Sequence, residues 1–359
     1  MKKWGQKAAG LCSAALTFAA VVCVLGRLSV LPSWDAAFTA AGFIMPGGAA
    51  EALKTDILEE DEEDGPSQPE PASSTPKSPS SSRPENSSEE NRNSSGANGS
   101  QGTVSTTQKA DVKEMSIVNA GVQYNNVWVK NLNKNHGIDI PGELQKQPAV
   151  KIVKNAGPQV LIYHTHTTEA FAGETRSRDN AKNMVAVGER IAEQLKAAGI
   201  NTYHDTTCHD YPSYNGSYDR SKVTILNALK KYPSIQVTLD IHRDAMGTEG
   251  GTRIKPTAMV NGKKAAQVMI ISGCDDDGSL NFPNWEYNLR LAVRLQKSMA
   301  DLYPGLGRPL NFCTRKYNEN LTKGSLLVEF GTEVNTLDEA KYSGDLFGKA
   351  LVEVLNKLT

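Results

Sequence analysis

The sequence predicts an α/β domain with a mainly parallel sheet covered by helices on both faces, preceded by a transmembrane helix and a disordered linker. Three observations carry this expectation. After Pro141, short apolar runs alternate with stretches of helical periodicity; no charged residue falls between Ala8 and Gly26; and Ser, Pro, Glu, Asn and Gly dominate from about Thr55 to Lys113. Alternation of the first kind builds a sheet covered by helices. The other two segments cannot belong to that core.

Residues 1–30 read as a cytoplasmic N-terminus and membrane anchor. Lys2, Lys3 and Lys7 precede the uncharged run, which is long enough to cross a hydrocarbon core, and the cationic flank keeps the N-terminus inside. The chain after Arg27 is then extracytoplasmic. A cleaved signal peptide is the alternative, although no Ala-x-Ala site closes the run. Residues 31–54 form an Ala-rich juxtamembrane segment. Residues 55–115 carry the acidic run Glu59 to Asp64 and almost no aromatics, too little apolar surface to offset ordering entropy. As a flexible chain, this linker reaches on the order of 40 Å.

Residues 116–359 form the expected folded domain. Val160 to Tyr163 predicts a strand. Asn183 to Ala198 predicts a helix, with Met184, Val187, Ile191 and Leu195 at helical spacing and Gly199 as its stop. Asn201 to His204 predicts a short strand, Asp219 to Tyr232 a helix, and Ile235 to Ile241 and Ala266 to Ser272 two more strands. Trp285 to Leu302 predicts a long helix closed by Pro304-Gly305, Leu326 to Glu329 a buried strand, and Leu337 to Leu358 a final helix. In such a sheet, ligands bind at the carboxyl ends of strands.

The charge balance, 39 basic against 40 acidic residues, excludes a nucleic-acid-binding class. Five cysteines are present; Cys208, Cys274 and Cys313 lie outside the membrane run without close spacing. That pattern suits neither a Cys-type zinc finger nor a disulfide framework.

The chemistry concentrates at three strand ends: His164-Thr-His166-Thr-Thr-Glu169, Asp240-Ile-His242-Arg243-Asp244, and Glu329 after Leu-Leu-Val. Catalytic zinc takes three ligands from His and Asp/Glu and keeps a position for water. His166, Glu169 and His242 supply such a set. Glu329 stays free as the proton-shuttling base, because a carboxylate after an apolar run is costly to bury without a function. His164 alternates with His166 and reads as an alternative ligand, or as a group that supports the ligands from behind or from the core, while Glu174 and Asp179 are rival ligands on the same loop. Arg243 and Asn335 are candidate substrate contacts. His136, His204 and His209 sit among polar residues and read as surface groups.

These motifs, with Ser177-Arg-Asp-Asn180, Asn284-Trp285, Val328-Glu-Phe-Gly331 and Asn335-Thr-Leu, resemble the stage II sporulation protein P family from about Ile138 onward. The resemblance implies an amidase-like fold and a zinc-dependent N-acetylmuramoyl-L-alanine amidase. Such an enzyme cuts the bond between N-acetylmuramic acid and L-alanine in peptidoglycan, also acts as an endopeptidase, and thins the septal wall during engulfment in sporulation. It implies partnership with stage II sporulation proteins D and M, and a single-pass membrane protein whose domain faces the wall. Onto the wider amidase pattern, His166, His242 and Glu329 match. No Glu opens the Asn183 helix, where that pattern places its second ligand, and the His-x-x-Glu spacing looks more like zinc carboxypeptidases. Two other readings therefore stand: a zinc carboxypeptidase-like peptidase, and an inactive wall-binding scaffold that recruits other hydrolases.

Overall fold

Between Val237 and Asp244 the chain alternates strictly, so that Val237, Leu239 and Ile241 face one side of a sheet and Thr238, Asp240 and His242 the other. The computed structural model describes residues 111–248 and 251–359. The expected membrane span, the juxtamembrane segment and most of the linker lie outside the described residues, among which no helix is long and apolar enough to cross a membrane.

The elements run β1 (Val112–Met115), β2 (Val122–Tyr124), β3 (Val127–Asn131), α1 (Ile140–Gln145), β4 (Val160–Tyr163), α2 (Met184–Ala197), β5 (Thr202–His204), α3 (Ser217–Lys231), β6 (Val237–Asp244), β7 (Arg253–Val260), β8 (Lys263–Ala266), β9 (Val268–Gly273), α4 (Trp285–Leu302), β10 (Leu310–Cys313), β11 (Ser325–Thr332) and α5 (Leu337–Leu355). Eight strands form one sheet in the order β2-β3-β10-β9-β11-β6-β4-β5. β5, β4, β6 and β11 are mutually parallel, as are β9, β10 and β3. β9 runs antiparallel to β11, and β2 to β3. The sheet is therefore mixed: the parallel set β5-β4-β6-β11 points opposite to the parallel set β9-β10-β3, and β2 closes the edge antiparallel to β3. The carboxyl ends of β4, β6 and β11, with that of their parallel neighbour β5, lie at one end of the sheet, and the expected ligands follow β4, β6 and β11.

One face of the sheet holds the main core. Met184, Val187, Ile191 and Leu195 of α2, together with α4 and α5, pack over Val160, Ile162, Leu239, Ile241, Ile270 and Val328. The side chains of Ile191 and Leu195 are fully buried, each worth roughly 1.5–3 kcal/mol. Asn183 caps α2, its side chain accepting from the Val185 N–H, and a capping box joins Thr336 and Glu339 at the start of α5. The second face is covered differently. α3 packs Ile225 and Ala228 against Leu161 and Tyr163, and beyond it lies only a small cluster of Ile271, Cys313 and Leu327, flanked by Met269 and Tyr317. Helices do flank both faces, but a broad strip of this second face is left uncovered by any of them.

Several elements differ from expectation. Residues 111–115, assigned to the linker, enter the fold: β1 pairs in parallel with β7, and β7 with β8, as a separate three-stranded sheet. β7 and β8 form a hairpin closed by Asn261-Gly262, both at positive φ, the backbone that an Asn-Gly turn supplies. β2, β3 and β10 also went unforeseen. The predicted strand from Ala266 divides at Gln267, whose buried amide bonds Ile117, Gly305 and Ser116. The expected surface histidines are not all on the surface. His209 is buried, bridging the His164 carbonyl at 2.7 Å and Thr224 Oγ1 at 2.8 Å, and His204 is half-buried against His164.

Candidate functional site

β6 and β11 pair so that Glu329 stands directly opposite His242. Beyond the end of β4, the Thr165 N–H and hydroxyl donate to the two oxygens of Asp240, at 2.8 and 2.6 Å. This clamp turns the chain so that His166 faces His242, ring to ring at 5.3 Å and nearly perpendicular. Glu169 arrives from the loop before α2: its carbonyl accepts the Met184 N–H, while its Oε2 accepts the Arg243 N–H at 3.1 Å and lies 3.5 Å from His242 Nδ1. The sequence places no acid at the start of α2, but the fold brings one beside it. Asp240 Oδ1 lies 2.8 Å from His242 Nε2, close in distance but off the hydrogen-bond direction, so the contact acts through charge.

Electrostatics divides the cluster into groups of opposite character. Burial alone would lower His242, but Asp240 and Glu169 outweigh it and hold the imidazole well above its usual value. Burial would raise Glu169; Arg243 and His242 reverse this and bring it down to about 2. His166 is lowered to about 4, chiefly by burial. Glu329 goes the other way, pushed well above the carboxylate range by burial and by the neighbouring Asp244. Its Oε2 is buried and without a hydrogen-bond partner. One end of the sheet thus holds a fixed carboxylate, Glu169, beside a carboxyl that keeps its proton, the kind of divergence that separates acid and base roles.

The other expected residues are placed as follows. His164 is fully buried, with Nδ1 3.0 Å from the Ile241 carbonyl and Nε2 2.9 Å from His204 Nε2. Its ring supports the second ligand strand from inside the core. A Cβ at Gly188 would lie 2.7 Å from His204 Nε2 and 2.9 Å from His164 Cε1, so glycine in α2 is what lets this pair close. Glu174 and Asp179 are exposed, and Asp179 sits 3.8 Å from Lys182. Neither joins the cluster. Arg243 is 9% exposed and donates to the carbonyls of Ala170 and Thr175, which pins the Glu169 loop. Asn335 is fully buried and closes the turn after β11, accepting the Thr332 N–H at 2.9 Å and donating to the Pro256 carbonyl.

Three participants escaped the sequence reading. Tyr214 stacks on His166 at 4.2 Å and 5°, with the Arg176 guanidinium 4.5 Å from the Tyr214 ring. Tyr218 meets His166 edge-on at 5.6 Å. Asp240 steers both ligand strands. The signal for the tyrosines was the run Tyr211-Pro-Ser-Tyr-Asn-Gly-Ser-Tyr218, too aromatic for an idle loop.

A divalent metal is the group this chemistry implies, and the residues present fit it. Both ring nitrogens of His166 are buried without a hydrogen-bond partner, a cost that coordination removes. His166, Glu169 and His242 form a His-His-carboxylate donor set of the catalytic kind. Their donors are spread more widely than those of His136, Cys274 and Asp276, which among the described residues lie within 4.8 Å of one another. That second group sits at the opposite end of the sheet. There, Asp276 already accepts the N–H groups of Lys134, Asn135 and His136, so its carboxylate works as a loop clamp.

Residues 49–352 match the family described as Stage II sporulation protein P. Stage II sporulation protein P of Bacillus subtilis (strain 168) is 32% identical over 214 residues, covering 53% of this chain and 50% of that protein. The match thus spans about half the length of that relative. Among solved structures, the CwlD amidase from Clostridioides difficile in complex with the GerS lipoprotein is 11% identical, covers 56% of this chain and 98% of its own, and has a TM-score of 0.36. The N-acetylmuramoyl-L-alanine amidase AmiC2 of Nostoc punctiforme is 14% identical, covers 56% and 96%, and has a TM-score of 0.33. Likeness this loose decides neither fold nor activity. The family match spans most of the sequence, and the chain belongs to the stage II sporulation protein P family.

Proposed function

We propose that this chain is a zinc-dependent peptidoglycan hydrolase that cleaves the amide between N-acetylmuramic acid and L-alanine and thins septal wall during engulfment. The observation that carries this reading is the pairing of Glu329 with His242: an acid whose Oε2 has no partner, held in register beside a buried His-His-Glu donor set. His166, Glu169 and His242 would hold the zinc, which polarises a scissile carbonyl and acidifies water. A cation held there would offset the burial and the Asp244 repulsion that keep Glu329 protonated in the metal-free chain, and the ionised Glu329 accepts the proton of the attacking water at Oε2 and returns it to the departing amine. Asp240 fixes the orientation of His242 from behind. Tyr214 and Tyr218 enclose His166 and keep bulk water from its ring.

An N-terminal span with the domain on the wall side, joined by the acidic linker, suits a polymeric substrate outside the membrane. Stage II sporulation proteins D and M are the proposed partners, and endopeptidase cleavage the proposed second activity.

The test is Glu329→Gln assayed on purified sacculi. Release of stem peptides beginning with L-alanine should vanish while bound zinc is retained. Wild-type release by the variant would remove Glu329 from the mechanism, and products lacking an N-terminal L-alanine would replace the amidase by a peptidase.

A further inference from the structure

Next to Glu329, the sheet continues along the strip of its second face that no helix covers. Glu329 pairs with Met269 of β9; two residues along β9, Ile271 pairs with Asn311 of β10, and Asn311 pairs with Lys130 of β3. Side chains at paired positions share a face, so Glu329, Met269, Asn311 and Lys130 line one continuous strip. Two of them lack partners. Asn311 is half-buried and its Oδ1 is buried without a hydrogen bond. Lys130 is also half-buried, and its ammonium is close enough to Arg308 to be disfavoured by it after burial itself, with Asp244 the nearby carboxylate. That carboxylate is already taken, held by Arg308 at 2.8 Å. The strip therefore offers a cation without an anion and an amide oxygen without a donor, a short walk from the reacting acid.

We propose that this strip is a substrate subsite for a carboxylate-bearing peptide, in which Lys130 binds the carboxylate and Asn311 Oδ1 accepts a peptide N–H. The assignment rests on the peptidoglycan reading, since it names how the peptide side of that substrate is recognised. One ligand class satisfies both groups: a peptide supplies N–H donors and a terminal carboxylate, whereas a glycan without carboxylates supplies no charge for Lys130. Met269 gives the intervening surface an apolar floor. The sheet alone fixes the distance from Glu329 to Lys130, so the subsite is preformed and selects for peptide reach as well as charge.

The experiment uses the full-length chain, a muramyl tripeptide with a free terminal carboxylate, and the same compound as its C-terminal amide. Binding is measured by calorimetry and cleavage by product release, for wild type, Lys130→Ala, Lys130→Arg and Asn311→Leu. For the acid, Lys130→Ala should raise Kd and KM by roughly tenfold or more, the size of a lost charge-assisted hydrogen bond. kcat should hold, and Lys130→Arg should restore most of the loss. For the amide, wild type and Lys130→Ala should bind alike. Asn311→Leu should weaken both compounds equally. For Lys130→Ala, equal losses on acid and amide, or no loss on either, overturn the subsite. Failure of wild type to cleave either compound would overturn the amidase reading, while the calorimetric comparison of acid with amide would still decide the subsite.

Discussion

Asp240 and His242 lie on the same face of β6, and the Asp240 carboxylate stands 2.8 Å from the His242 Nε2, behind the ring relative to Glu169. The same carboxylate receives the Thr165 N–H and hydroxyl, so one buried acid orients a ligand and sets the loop that carries the other. Asp240→Asn should therefore weaken zinc by roughly 10–100-fold, as loss of a carboxylate that orients a ligating histidine does. It should also cost about 1–3 kcal/mol of stability, because an amide cannot accept from both Thr165 donors. A zinc competition assay and a urea melt read the two effects separately, and unchanged zinc affinity would remove Asp240 from the centre.

Tyr214 fixes the plane of His166 by stacking. Tyr214→Ala should loosen the ring and lower zinc affinity by several-fold, in keeping with about 0.5–1.5 kcal/mol for an aromatic pair. Tyr214→Phe should retain wild-type affinity, since the stack needs the ring and not the hydroxyl. An alanine variant that binds zinc as tightly as wild type would show that the stack does no positioning.

Much of this centre was legible in advance, because a histidine or acid after an apolar run is a costly placement that its neighbours advertise. His166, His242 and Glu329 each follow such a run, and the strands before them appear where periodicity put them. What was illegible follows from physics that a single sequence does not display. The reversal of β9 against β11 depends on which strands pair, and apolar periodicity carries no direction. β7 has Pro256 in mid-strand and charged Arg253 and Lys255 near its start, which masked it despite the Asn261-Gly262 turn. Tyr214 acts through a tertiary stack with a residue 48 positions away in sequence, a relation no local pattern encodes.

Asn335 and Arg243 look like substrate contacts in the sequence, yet their polar atoms are consumed by the chain itself. Asn335→Ala should lower stability by about 1–3 kcal/mol, leaving the Thr332 N–H buried without its partner. KM on sacculi should not change in conditions where the variant is folded. A raised KM with unaltered melting would return Asn335 to the substrate surface.

Glu329 gives the metal-free chain a signature in its pH dependence. Burial, then Asp244, raises its carboxyl well above the model-peptide value of 4.5. A folded value above the unfolded one means that the folded chain holds a proton the unfolded chain releases, so its stabilising contribution is complete below about 4.5 and is lost as pH rises through the folded value. Glu319, buried on the other side of β11's start and also raised well above its usual value, acts with the same sign. In chelator, the urea midpoint of the wild type should therefore fall relative to that of Glu329→Gln, which carries no ionisable proton, on going upward from about pH 4.5, while His164 and His166, lowered by burial, add stability with rising pH in both proteins. The part of the slope that remains in the variant includes Glu319. Parallel pH profiles for wild type and variant would mean that Glu329 titrates as an ordinary exposed carboxyl, and with that the half-buried acid beside His242, its Oε2 without a partner, would be lost as a proton carrier.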